Sequence, residues 1–163
     1  MSSAQDKDEI WLDDDIIELD DDEAVVVKAI NPWKVLIVDD EPDIHHATRL
    51  ALSNIQYKSR PLELLNAYSG AEAAQMLLAN PRIALILLDV VMETEDAGLR
   101  LVHQIRNEMH NSLVRIVLRT GQPGQAPEQR VILDYDINDY KTKTELTVQK
   151  LFTTVIASLR SYE

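Results

Sequence analysis

Three consecutive carboxylates, Asp39, Asp40 and Glu41, follow the apolar run KVLIV (34–38) with no spacer. Like charges held side by side repel one another, so they are kept together by water, by a proton or by a cation. A second aspartate site, Asp89, closes the apolar run IALILLD (83–89). Thr120 closes LVRIVLRT (113–120), and Lys143 follows INDYKT. If these runs are neighbouring strands, the carboxylates, the hydroxyl and the ammonium share one rim. Clustered carboxylates push at least one pKa upward unless a cation is present, and hard oxygen ligands of this kind suit Mg²⁺. Taken alone, the triplet fits a solvated helix start equally well, because carboxylates favourably meet the helix dipole there. With Asp89, Thr120 and Lys143 on the same rim, a metal-assisted chemical site becomes the better reading.

The elements that must position these groups alternate regularly from Trp33 onward. KVLIV reads as a buried strand, and Pro42 suits the first turn of a helix whose Ile44, Ala47, Ala51 and Ile55 share a face. PLELLNAY (61–68) is a second strand, and Ser69 with Glu72 forms a capping box for a helix that ends before Pro81. IALILLD is the third strand. A helix from about Ala97 follows, with Leu101 or Val102, Ile105 and Met109 facing inward. After the fourth strand come the loop GQPGQAP, a short helix over 128–134, and a weak fifth strand near INDYKT. Val148, Leu151, Phe152, Val155 and Leu159 give the last helix a 3.6-residue apolar stripe. Apolar strands alternating with helices predict a parallel sheet covered on both faces, with every strand's C-terminal end on one edge. Ligands of such sheets bind at that edge.

Composition narrows the classes further. The chain has 163 residues, 45% of them hydrophobic, and no cysteine, so disulfides and thiolate metal sites are excluded. Of the net charge of −12, residues 1–30 carry −9, from 11 Asp/Glu against two lysines. The remaining 133 residues carry only −3, so no basic face for nucleic acid is expected. The acidic leader, 1–32, reads as a disordered or loosely docked tail; Trp11, Leu12, Ile16, Ile17 and Leu19 are the residues with which it would dock. No apolar run is long enough for a membrane span and no signal peptide is visible, which places the protein in the cytoplasm. Gly-rich nucleotide loops are absent. His45 and His46 read as surface or cap residues, His103 and His110 as ordinary helix and loop positions, and Trp33 as a packing residue.

The motifs VLIVDDEP, ALILLDVVM, IVLRTG and DYKTK, in this order, resemble the receiver domain of two-component response regulators, over residues 33–163. The resemblance implies a flavodoxin-like (βα)5 three-layer sandwich with a parallel five-stranded sheet in the order 2-1-3-4-5. It also implies that Asp89 accepts a phosphoryl group from a histidine kinase or histidine phosphotransfer protein. Mg²⁺ (or Mn²⁺) would be held by Asp40, Asp89 and the carbonyl of Val91, with Asp39 acting through water and Glu41 only starting a helix. Lys143 would pair with Asp89 and then with the phosphoryl oxygens. Thr120 would bind another of those oxygens, and Tyr140 would follow the threonine as a rotamer switch. Family spacing selects Lys143 over Lys141, whereas strand alternation alone leaves both open.

RTGQPGQAPE and the C-terminal segment further resemble receivers that precede HD-GYP outputs hydrolysing cyclic di-GMP. No HD or GYP motif is present, and the helix running into Glu163 reads as cut from a longer chain. An output domain in cis or a partner protein is therefore expected, with a homodimer or docking surface on the last helix. Three features depart from the family: Thr144 stands where proline usually follows the lysine, Glu93 where proline follows Met92, and the loop METEDAG is one residue longer than the usual spacing to Gly98. They keep a second reading open, a receiver-like interaction module that works without phosphorylation. A third, a Mg²⁺-dependent aspartyl-phosphate phosphatase, generally needs a second acid two residues after the nucleophile, where this chain has Val91.

Overall fold

A computed structural model describes residues 31–92, 94, 96–121, 136–143 and 147–163. The elements are β1 (Trp33–Val38), α1 (Pro42–Ala51), β2 (Gln56–Tyr57), β3 (Arg60–Ala67), α2 (Gly70–Ala79), β4 (Ile83–Asp89), α3 (Ala97–His103), β5 (Arg115–Thr120), β6 (Asp139–Thr142) and α4 (Val148–Tyr162). They form one sheet in the order β2-β3-β1-β4-β5-β6. Every pairing is parallel except the two-residue antiparallel contact of β2 with β3. The five expected strands thus stand in the expected order, and the sheet gains a sixth, β2, at its edge. Two residues carry no readable alternation, so β2 could not be seen in the sequence.

The strands are apolar throughout because both faces are covered. Leu36, Val38, Ile86, Leu88, Ile116 and Leu118 point to the side packed by α2 and α3. Val35, Leu85, Leu87 and Val117 point to the side packed by Leu52 after α1 and by Leu151, Val155 and Leu159 of α4. Each such fully buried side chain contributes about 1.5–3 kcal/mol of transfer free energy. The capping residues act as expected at α2, where the Ser69 hydroxyl accepts from the Glu72 N–H at 3.1 Å. The Glu72 carboxylate reaches back one residue further than the motif predicts, to the Tyr68 N–H at 2.8 Å. Beyond His103 the helix α3 loosens into a wider turn, with the Met109 N–H donating to the Gln104 carbonyl at 2.8 Å.

Two inner faces differ from expectation. In α1 the buried residues are His45 and Thr48, while Ile44 is half-buried and Ala47 exposed. The helix is rotated by about one residue relative to its apolar stripe, because His45 and Thr48 find buried hydrogen-bond partners that outweigh the loss of two small apolar contacts. In α4 only part of the stripe is used. Leu151, Val155 and Leu159 are buried, Ile156 is half-buried, and Val148 (65% exposed) and Phe152 (44%) face outward. The GQPGQAP loop after Gly121, the helix expected over 128–134, Glu93, Glu95 and the Lys143–Thr144 peptide lie outside the described residues.

Candidate functional site

Strand β1 delivers Asp39 and Asp40 to the sheet's C-terminal edge, and β4, the next strand over, delivers Asp89 at the same level. One carboxylate oxygen from each of the three lies within 4.8 Å of the others. Asp39 and Asp89 are buried and Asp40 is exposed. One oxygen of Asp39 accepts from the Glu41 N–H at 2.9 Å, and one of Asp89 accepts from the Val91 N–H at 3.3 Å. These bonds orient the carboxylates without neutralising them.

Lys143 supplies the only cation found in contact with the cluster among the described residues. Its ammonium stands 3.1 Å from Asp39 Oδ2, 3.3 Å from Glu41 Oε1 and 3.4 Å from Asp89 Oδ2. Its own backbone N–H donates to the Thr120 carbonyl at 2.7 Å, which extends the β5–β6 ladder past Thr142 and places the ammonium over the acids. Lys141 instead faces Asp139 at 3.8 Å, so the structure brings Lys143, and not Lys141, to the rim. Glu41 stands at the start of α1, as expected, without a side-chain capping bond, and its carboxylate is also in contact with the Lys143 ammonium.

Electrostatically the cluster is under-neutralised. Burial first, and then the charge of Asp39, push the Asp89 carboxyl up to about 6, against the pull of Lys143 and the Val91 N–H. Burial tends to lower the Lys143 ammonium, but Asp89, Asp39 and Glu41 outweigh it and hold it above its ordinary range. The buried Asp39 Oδ2 has an ion-pair partner in Lys143 but no aligned hydrogen-bond donor. Three convergent carboxylates set against one lysine ammonium fit a hard divalent cation with several retained waters.

Behind the acids, Gly98 at the start of α3 donates its N–H to the Val90 carbonyl at 2.8 Å. A Cβ at this position would lie 2.2 Å from the Asp89 carbonyl oxygen and 2.7 Å from Val90 Cα. Glycine is therefore required for α3 to seat against the loop that carries Asp89. Thr120 is buried at the end of β5, and Tyr140 is turned inward among the side chains of the α2/α3 face, 5% exposed.

Two residues of this region escaped sequence reasoning. His45 is no surface histidine: it is 3% exposed and stacks on Tyr68 at 4.2 Å. Its Nε2 donates to the Asp39 carbonyl at 2.7 Å, and its Nδ1 lies 2.9 Å from the Asn66 side-chain amide. Arg119 is buried beside Thr120, its Nη1 donating to Thr48 Oγ1 at 3.0 Å. The available signal was a charge inside a strand expected to be buried on both faces.

Residues 35–156 match the response regulator receiver domain. The chain is 56% identical over 140 residues to the 3'3'-cGAMP-specific phosphodiesterase 2 of Vibrio cholerae serotype O1, covering 86% of this chain and 27% of that protein. The chain therefore spans about a quarter of this relative's length. A signal receiver domain of an HD domain-containing protein from Pseudomonas fluorescens Pf-5 superposes with a TM-score of 0.68 at 23% identity, over 81% of this chain and 98% of that one. A response regulator receiver domain protein from Clostridium thermocellum gives 0.66 at 19% identity, over 78% and 94%. At these identities the two structures speak for the fold alone, which is the flavodoxin-like receiver fold. With the match over 35–156, the chain belongs to the response regulator receiver domain family.

Proposed function

We propose that this receiver domain accepts a phosphoryl group on Asp89 from a phosphohistidine of a histidine kinase or histidine phosphotransfer protein, and thereby controls an output. The observation that carries this reading is the convergence of Asp39, Asp40 and Asp89 within 4.8 Å with Lys143 at 3.4 Å from Asp89. Asp40, Asp89 and the carbonyl of Val91 would hold Mg²⁺ (or Mn²⁺), with Asp39 acting through a bound water. When bound, the cation would offset the repulsion between the Asp89 carboxylate and the incoming phosphoryl oxygens.

An Asp89 oxygen forms the new O–P bond as the donor's N–P bond breaks in line, and the freed imidazole takes its proton from solvent. Asp89 must be ionised to attack, so its carboxyl, pushed up to about 6, limits the metal-free nucleophile below that pH. Lys143 moves from the Asp89 carboxylate to a phosphoryl oxygen, and the Thr120 hydroxyl donates to another. Tyr140 already lies inward, the side to which movement of Thr120 would draw it. The phosphoryl group then biases a two-state equilibrium by its differential interaction with each state.

The output is proposed to be a cyclic-dinucleotide phosphodiesterase of HD-GYP type in cis, acting in the cytoplasm. Its support is the relative named as a phosphodiesterase, of which this chain corresponds to 27%. The domain itself is proposed to turn over no external substrate, since Val91 stands where an aspartyl-phosphate phosphatase generally has its second acid. No helix among the described residues is long and apolar enough to cross a membrane.

The test is incubation with acetyl phosphate and Mg²⁺ followed by intact mass. One added phosphoryl group, lost in Asp89→Asn and with EDTA, is the expected result. No gain with any phosphodonor would overturn the reading in favour of a module that acts without phosphorylation.

A further inference from the structure

Asp39, Asp89 and Arg119 stand in a row across the sheet. β1 and β4 pair in register up to Val38 with Leu88, the residues just before the two acids, and Asp89 pairs with Arg119. Neighbouring strands lie about 4.8 Å apart, and residues level with one another point to the same face. Asp39, Asp89 and Arg119 lie two or four residues beyond Val35, Leu87 and Val117 on their strands, so all three face the same α1/α4 side as those residues. Arg119 is 5% exposed, and its guanidinium is used at only one corner. Nη1 donates to Thr48 of α1, whereas Nε and Nη2 have no hydrogen-bond partner among the described residues. Asp39 Oδ2, in the same row, also lacks an aligned donor.

A buried guanidinium with two unmade hydrogen bonds needs compensation, and a long-range partner of opposite charge can supply it. Burial depresses the Arg119 guanidinium, and Asp39 and then Asp89 counteract that depression. A cavity of 170 Å³ between α1 and α4 has Arg119 and Lys143 in its wall, which leaves the guanidinium room to reorient.

We infer that Arg119 is a built-in counter-cation of the metal site, a positioning residue that opposes divalent-cation binding by pre-neutralising Asp39 and Asp89 from beneath. The four carboxylates Asp39, Asp40, Glu41 and Asp89, set against Lys143 and Arg119, leave two uncompensated negative charges, which one divalent cation matches. Without Arg119 three remain. Because Nη1 is tied to Thr48, the reach of this cation toward the acids depends on where α1 sits, which links metal affinity to the α1/α4 face.

The inference rests on the proposed metal-binding role of the acids, and the test separates the two. Mg²⁺ alone is titrated into the full 163-residue chain by isothermal calorimetry, in the wild type and in Arg119→Met, Arg119→Gln and Arg119→Lys. Removing the charge is expected to tighten Mg²⁺ binding roughly fivefold in the Met and Gln variants. The Lys variant, which keeps the charge, is expected to stay within about twofold of wild type. A purely structural arginine predicts the opposite sign, because a loosened site binds metal more weakly. Unchanged or weaker binding in the neutral variants overturns the inference, as does equal tightening in Arg119→Lys. If neither neutral variant folds while Arg119→Lys does, the residue is structural and the inference fails. If the wild type itself binds no Mg²⁺, the metal reading of the acids fails and this inference falls with it.

Discussion

Replacing Asp89 with asparagine is expected to stabilise the metal-free protein at neutral pH and to change it little in acid. Asp89 is 4% exposed, and its carboxyl is pushed from 3.8 to about 6 by burial and by Asp39. The folded protein thus holds this proton to a higher pH than the unfolded chain does. Stability linked to it is fully present below the unfolded value, declines as pH rises toward about 6, and is flat above. A shift of about two units corresponds to about 3 kcal/mol at pH 7.5 and less than about 1 kcal/mol at pH 4. Asparagine is close in shape to the protonated acid and has no such penalty. It also gives up the contact with Lys143, but that attraction is already included in the net upward shift. For a domain of this size the gain amounts to a Tm rise of about 9 °C at pH 7.5. Thermal and urea unfolding with EDTA at pH 4 and pH 7.5 measure it directly. A variant less stable than wild type at pH 7.5 would show that the Lys143 pair outweighs burial. An equal gain at both pH values would place the cause in packing, and either result refutes the argument. Added Mg²⁺ should narrow the difference, because it stabilises the wild type more than Asp89→Asn.

Gly98→Ala should cost about 3 kcal/mol or more in urea unfolding, since its Cβ would lie 2.2 Å from the Asp89 carbonyl oxygen. A loss below about 1 kcal/mol would show that α3 shifts freely on this loop. The exposed Phe152 and Val148 on α4 are expected to support self-association that Phe152→Ser weakens. Sedimentation that finds a monomer at high concentration, with and without a phosphoryl mimic, would rule that out.

The sheet was legible because nothing competes with a buried parallel strand. A run such as IALILLD has no polar face to hide, and its closing aspartate marks the functional edge. Convergence at the rim then followed from right-handed crossovers, so the positions of Asp39, Asp89, Thr120 and Lys143 could be expected before any coordinates. Choosing Lys143 over Lys141 could not follow from alternation, because residues two apart in a strand share a side. The choice is made by Lys143 lying just past β6, with its N–H on the Thr120 carbonyl. The inner face of α1 was misjudged for a different reason. Hydrophobic periodicity assumes that buried means apolar, and it cannot see a His45 satisfied by the Asp39 carbonyl or a Thr48 satisfied by Arg119.

These two polar residues also tie α1 to the acidic rim. A helix docked only by Ile44 and Ala51 could slide by fractions of an ångström at little cost, since apolar contacts are non-directional. His45 instead fixes the backbone of the residue that offers Asp39's carboxylate, with a directional bond of 2.7 Å inside the protein. Thr48 holds the guanidinium that lies level with Asp89. A change of charge at the acids therefore acts on both tethers at once. The bond from His45 resists movement of the Asp39 strand end, while the guanidinium, held at one corner only, has room to reorient in the cavity beside it. On the proposed reading, the first tether keeps the carboxylates in place for phosphoryl transfer, and the second would link the charge at the acids to the position of α1.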